Sequence, residues 1–115
     1  MQAEGDAGGA LIMKILSDQV QQLGVRHEYE ARALTLITDK ETNIRGLVVR
    51  IDQQERYVRA RKGVILCAGG FAMNDAMVTK YAPLLHSGTA PMGNPGDTGS
   101  GIQMGMAVGG AAINM

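Results

Sequence analysis

GVILCAGGFAMN, residues 63–74, is the stretch on which the fold turns. Val64, Ile65, Leu66, Cys67 and Ala68 form an apolar run with no alternation. Continuous apolar runs of this length belong to strands covered on both faces, most often central parallel strands. The run ends at Gly69 and Gly70, where side chains vanish. In open α/β sheets, ligands sit outside the carboxyl ends of strands, and glycines there let a ligand approach the main chain. The same pair also makes a tight turn with no ligand. At this point both readings stand.

Working outward, the period of the pattern changes several times. Residues 1–7 read as a loose entry, with Asp6 placed to cap a helix. GGALIMKILSDQVQQLG (8–24) is that helix: Leu11, Ile12, Ile15, Leu16, Val20 and Leu23 recur on one face, and Gly24 suits a left-handed stop. VRHEYEARALTLITD (25–39) then alternates, with Leu34, Leu36 and Thr38 on one side and Ala31, Ala33 and Thr35 on the other. KETN (40–43) supplies a turn, IRGLVVRID (44–52) a second strand, QQE (53–55) a tight connection and RYVRARK (56–62) a third strand with charges on its wet face. These three strands read as an antiparallel meander. After the apolar run, NDAMVTKYAPLL (74–85) is a short helix with Asn74 or Asp75 as cap and Pro83 as limit. A Gly/Pro-rich loop, 86–101, leads to a last helix over about 98–109 built on Ile102, Met106 and Ala107. The fold class is therefore α/β: an N-terminal helix, a three-stranded antiparallel meander, one buried parallel strand and C-terminal helices. A meander beside a parallel sheet is a usual decoration of flavin- and nicotinamide-binding folds.

Bulk properties narrow the function. At 115 residues the chain is one domain at most. Formal net charge is zero, which disfavours nucleic acid or an anionic membrane as partner. With three Tyr, one Phe and no Trp there is no stacking platform for bases. No run approaches the ~20 apolar residues of a membrane span, and the first residues lack the pattern of a signal peptide. The single cysteine, Cys67, makes no disulfide within the chain and reads as a small buried core residue; a reducing, cytoplasmic setting is the expectation. His27 reads as a solvated strand residue, and His86 lies in a loop. The two share no metal-ligand spacing, and the eight methionines read as core filler. Tyr29, Tyr57 and Tyr81 read as half-buried packing residues. No catalytic residue and no metal site is assigned.

Two further glycine patterns bear on binding. GDTGSG (96–101) precedes a helix, so its backbone N–H groups and the helix dipole suit an anionic or hydroxyl-rich group. Equally, Ser100 or Thr98 is an ordinary N-cap. Gly101, Gly105 and Gly109 are spaced four apart and would let another backbone or a ligand come close to one helix face. The strand, G-x-G-x-x-G and helix that open a dinucleotide fold are not found; Gly93, Gly96, Gly99 and Gly101 follow no strand and have other spacing.

In order, GGALIMKIL, LGVRHEYEARALTLITD, IRGLVVRI, VRARKGVILCAGGFAMN, YAP and GDTGSGIQMGMAVGG resemble successive blocks of the FAD-dependent fumarate reductase and 3-ketosteroid dehydrogenase family, nearer the ketosteroid branch. The resemblance implies that the chain is a single partial FAD-binding, Rossmann-like domain over 1–115, lacking the N-terminal dinucleotide fingerprint and the C-terminal flavin-ring segment. It implies FAD as cofactor. The backbone around Ala33 would bond the adenine, Ala68 and Gly69 would pass close to the FAD, and Ser100 would occupy the acidic position of the family's T-G-D-G block. The sequence departs from the family where Ala68 replaces a threonine and Ser100 an aspartate, Asp97 lying three residues earlier. The implied parent is an oxidoreductase that dehydrogenates a ketosteroid-like small molecule or reduces an activated alkene such as fumarate, with the isolated chain inactive. The alternative is a non-catalytic interaction module that self-associates into a homo-oligomer through an exposed sheet edge flanking VILCA.

Overall fold

A computed structural model describes residues 8–86, 93–113 and 115. Asp6 and the middle of the Gly/Pro-rich loop lie outside the described residues. Helix α1 spans Gly8–Gln22. It stops as its sequence requires: Gly24 takes φ +63°, and Val25 N–H reaches back to the Val20 carbonyl at 3.0 Å. Its apolar row is present but unburied. Leu11, Ile12, Ile15, Leu16 and Val20 are all exposed, and α1 packs on no other element among those described.

The meander is the ordered centre. Strands β1 (Arg32–Thr38), β2 (Ile44–Ile51) and β3 (Gln54–Arg59) pair antiparallel in that order. Ala33 faces Val49, which faces Arg56; Leu36 faces Leu47, which faces Val58. The central strand carries the buried residues Val48 and Val49. The first strand starts at Arg32, seven residues later than its alternation suggests: its pairing with β2 begins at Arg32–Arg50, and Glu30 just before it turns to φ +53°. The β1–β2 turn is organised by Asp39, whose carboxylate accepts from the Glu41 and Asn43 backbone N–H groups (2.9 Å each), the Asn43 side chain and Arg45 Nε (2.8 Å). The Asn43 side-chain amide is the main cause that holds the Asp39 carboxyl down from 3.8 to about 2; the backbone donors and Arg45 act in the same direction, against desolvation. The β2–β3 turn is only two residues long, Asp52 and Gln53, at φ +50° and +63°. Two consecutive left-handed residues make the mirror-image hairpin turn whose twist matches the strands. That is why β3 begins at Gln54, inside the stretch assigned to the connection.

The buried parallel strand is a correction. Residues 64–68 join no ladder, Ile65 is 88% exposed, and Leu66 and Cys67 are exposed as well. A strand needs a hydrogen-bonding neighbour. Both edges of β2 are taken by β1 and β3, and neither of those pairs with 64–68. The free sheet edges accordingly belong to β1 and β3, not to VILCA.

Three helices complete the described chain. α2 (Asp75–Tyr81) is capped by Asn74, whose side chain accepts from Met77 N–H at 3.1 Å. Pro83 opens α3 (Pro83–His86). His86 thus belongs to a helix rather than a loop. α4 (Ser100–Ala107) lies against β1, and Met77 and Met104 are the buried side chains of this half.

Candidate functional site

Three walls define the first groove: the segment Leu66–Phe71, the glycine face of α4, and the C-terminal residues 110–113 with Met115. The approach of the first two depends on missing side chains. A Cβ at Gly101 would lie 2.8 Å from the Ala68 Cβ, and one at Gly105 would lie 3.6 Å from Leu66 Cδ1. Gly109, the third of the spaced glycines, meets nothing within 4 Å and lies past the end of the helix. The groove has a volume of about 490 Å³ and includes Ala68, Gly69 and Gly70 along its wall.

The double glycine is held by the loop before α4. Gly69 adopts φ +72°, a conformation glycine takes without steric cost. A Cβ there would also collide with Asp97 Oδ1. The Asp97 carboxylate accepts from Gly70 N–H at 3.3 Å and from Asn94 N–H at 3.0 Å. Gly99 N–H bonds the Gly70 carbonyl at 2.8 Å, and Met73 N–H bonds the Asp97 carbonyl at 2.9 Å. From the other side, Asn74 Nδ2 donates to the Thr98 carbonyl at 2.8 Å. Neither Thr98 nor Ser100 caps α4. The cap is Gly99 at φ +74°, without a side-chain bond, in a space already filled by Met77 Sδ and Phe71 Cβ.

The four residues singled out from the sequence fall into two grooves. Ala68 and Gly69 line the first. Ala33 and Ser100 line a second, of about 290 Å³, between β1 and α4, together with Thr35 and Gln103. The two grooves lie against different faces of α4, which itself begins at Ser100. Cys67 is exposed rather than buried, because the cover expected over the apolar run is not supplied by the described residues. Tyr29 and Tyr57 are exposed too; only Tyr81 is half-buried, edge-on to Phe71 at 6.2 Å. His27 is exposed against Tyr29. Among the described residues no three His, Cys, Asp or Glu side chains group as a metal site, and no helix is long and apolar enough to cross a membrane. Asp97, read from the sequence only as an aspartate displaced from the family's acidic position, is the residue whose tie to the double glycine was not foreseen. Its signal was its place in N-P-G-D, a turn that Asp97 N–H closes onto the Asn94 carbonyl at 2.8 Å.

A glycine-faced helix against a double-glycine segment, beside an antiparallel meander, defines a cofactor-binding α/β domain. The chain belongs to the FAD binding domain family, whose model matches residues 2–115. Among curated relatives, it is 30% identical over 112 residues to a fumarate reductase (cytochrome) of Shewanella frigidimarina, covering 96% of this chain and 19% of that protein. It is 39% identical over 77 residues to a 3-oxosteroid 1-dehydrogenase of Mycolicibacterium smegmatis, covering 61% of this chain and 13% of that one. Among solved structures, it resembles the 3-ketosteroid-Δ4-(5α)-dehydrogenase of Rhodococcus jostii RHA1, crystallised with 4-androstene-3,17-dione. That match has a TM-score of 0.85 and 37% identity over 94% of this chain and 23% of that one. The chain thus spans about a fifth of the length of the relatives it matches. FAD is the cofactor of this family.

Proposed function

We propose that this chain supplies part of the FAD site of an oxidoreductase that dehydrogenates a ketosteroid-like substrate or reduces an activated alkene such as fumarate. The observation that carries the reading is the first groove. Its wall is main chain at Gly69 and Gly70 and glycine at Gly101 and Gly105, and side chains at Gly69 or Gly101 would collide with neighbours. Such a surface fits a large planar cofactor with a polar tail. Bound FAD supplies the hydride chemistry. The chain's residues do the placing: Ala68 and Gly69 present backbone to the cofactor, Ser100 offers a hydroxyl, and the Ala33 main chain lies beside it in the second groove. No proton donor or base is assigned to this chain, and we expect it to show no turnover alone as a partial domain. Relatives named as fumarate reductase and 3-oxosteroid dehydrogenase support the two substrate classes.

The test is a flavin titration. Purified chain is mixed with FAD, desalted, and its absorbance recorded near 450 nm, roughly where oxidised flavin absorbs. Weak binding is expected, with flavin retained only in part after desalting. A chain that neither shifts the flavin spectrum when mixed nor retains any flavin would sink the reading. The exposed apolar row of α1 favours a second reading, self-association. A single monomeric species in sedimentation at high concentration would remove it.

A further inference from the structure

We propose that Asp97 is a positioning residue for the cofactor groove, an inference that rests on the function just proposed. Asp97 does not line the groove. It acts from behind it. One carboxylate oxygen takes Gly70 N–H and the other takes Asn94 N–H, so a single side chain ties the double glycine to the loop that feeds α4. A charged acceptor makes such bonds stronger than neutral ones. The tie selects a conformation as well as a distance. Gly69 sits at φ +72° with Asp97 Oδ1 in the space a side chain would use, so the carboxylate and the missing Cβ are two halves of one fit. The backbone closes the same junction through Gly99 N–H on the Gly70 carbonyl and Met73 N–H on the Asp97 carbonyl. Asn74 secures the far side by joining Thr98 to the first turn of α2. With Asp97 removed, the Gly69–Gly70 main chain keeps the glycines' freedom and loses the group that chooses among their conformations. The distance between that wall and Gly101 is then no longer set.

The aspartate of the N-P-G-D turn therefore has a role separate from the acidic position that Ser100 occupies. It shapes the wall without touching the cofactor. Asp97→Asn keeps one acceptor oxygen and should hold one of the two N–H groups; Asp97→Ala should hold neither.

The experiment uses the 115-residue chain and two readouts. The first is amide hydrogen exchange by NMR. In Asp97→Ala, exchange at Gly70 and Asn94 should rise roughly tenfold or more, the size expected from losing a charge-assisted bond, with the β1–β3 amides unchanged. Asp97→Asn should fall between. The second is FAD affinity. Kd should weaken roughly tenfold in Asp97→Ala and less in Asp97→Asn, while the unfolding midpoint of the meander stays put. Unchanged exchange at Gly70 and Asn94 overturns the proposal, as does faster exchange with unchanged Kd. Exchange that rises throughout the meander also overturns it, because Asp97 would then be a general stability residue. If the unaltered chain retains no flavin, the proposed function fails and the positioning role is judged by the exchange pattern alone.

Discussion

Val48 and Val49 in β2, and Ile65 and Leu66 in the segment after the meander, are similar residues in similar apolar runs. The first pair is buried; Ile65 is 88% exposed and Leu66 is exposed. The difference lies in who supplies the neighbours. β2 has its partners within eighteen residues on either side, brought to it by two tight turns. Residues 64–68 meet α4 at Gly101 and Gly105, and among the described residues no strand pairs with them. Local chemistry completes the meander, whereas the glycine-bearing segment keeps an exposed face among the described residues. A cofactor wall needs that kind of openness, because a segment enclosed by its own sheet could not also face a ligand.

The sharpest way to break the meander is at Gly46. It is buried in β2 opposite Arg59, and a Cβ there would run into the Val58 carbonyl, with the Val58 carbonyl carbon at 3.1 Å and Arg59 Cα at 3.2 Å. These are backbone atoms that cannot swing away. Gly46→Val should cost about 3 kcal/mol, read as a lowered urea midpoint for the sheet. The comparison itself is tested by truncating one residue in each region. Val49→Ala should cost about 2 kcal/mol, while Ile65→Ala should stay within about 0.5 kcal/mol of the parent. Equal losses at the two positions would show that 64–68 is as well packed as β2.

Smaller effects sit in the turns. Gln53 pays a steric penalty at φ +63°, so Gln53→Gly should stabilise the hairpin by about 0.5 kcal/mol in thermal unfolding. Asp39 gives a pH signature. Its folded pKa, about 2, lies below the usual 3.8, so its stabilising contribution is complete above pH 3.8 and is lost as pH falls through about 2. Asp39→Asn should flatten that acid limb in a pH series of unfolding midpoints. A limb of unchanged slope would assign the acid sensitivity elsewhere.

How much of this was legible follows the same division. The stop of α1 at Gly24, the Asn74 cap and the three strands could be read because each depends on residues a few positions apart. Boundaries slipped where pairing decided them. The alternation from Val25 onward looked like strand, yet strand begins only where β2 offers a partner, at Arg32. The tight connection was read one residue late, at 53–55 instead of Asp52–Gln53, because neither turn residue is glycine or asparagine. At the site, Ala68 and Gly69 were visible as the end of an apolar run. That they line a different groove from Ala33 and Ser100 was not, since a groove is a property of two faces. The tie of Asp97 to the double glycine was missed because its partners lie 27 residues back at Gly70 as well as three back at Asn94.

By itself, then, the sequence determined the local elements: an amphipathic helix, a meander with its turn chemistry, and glycines where backbone must be bare. Only the tertiary structure decided that Gly69 owes its bareness partly to Asp97, that Gly99 rather than a side chain caps α4, and that 64–68 forms a wall and not a strand. The physical reason is range. Propensity, capping and turn geometry act over a few residues, while burial, pairing and groove shape exist only when segments far apart in the chain meet.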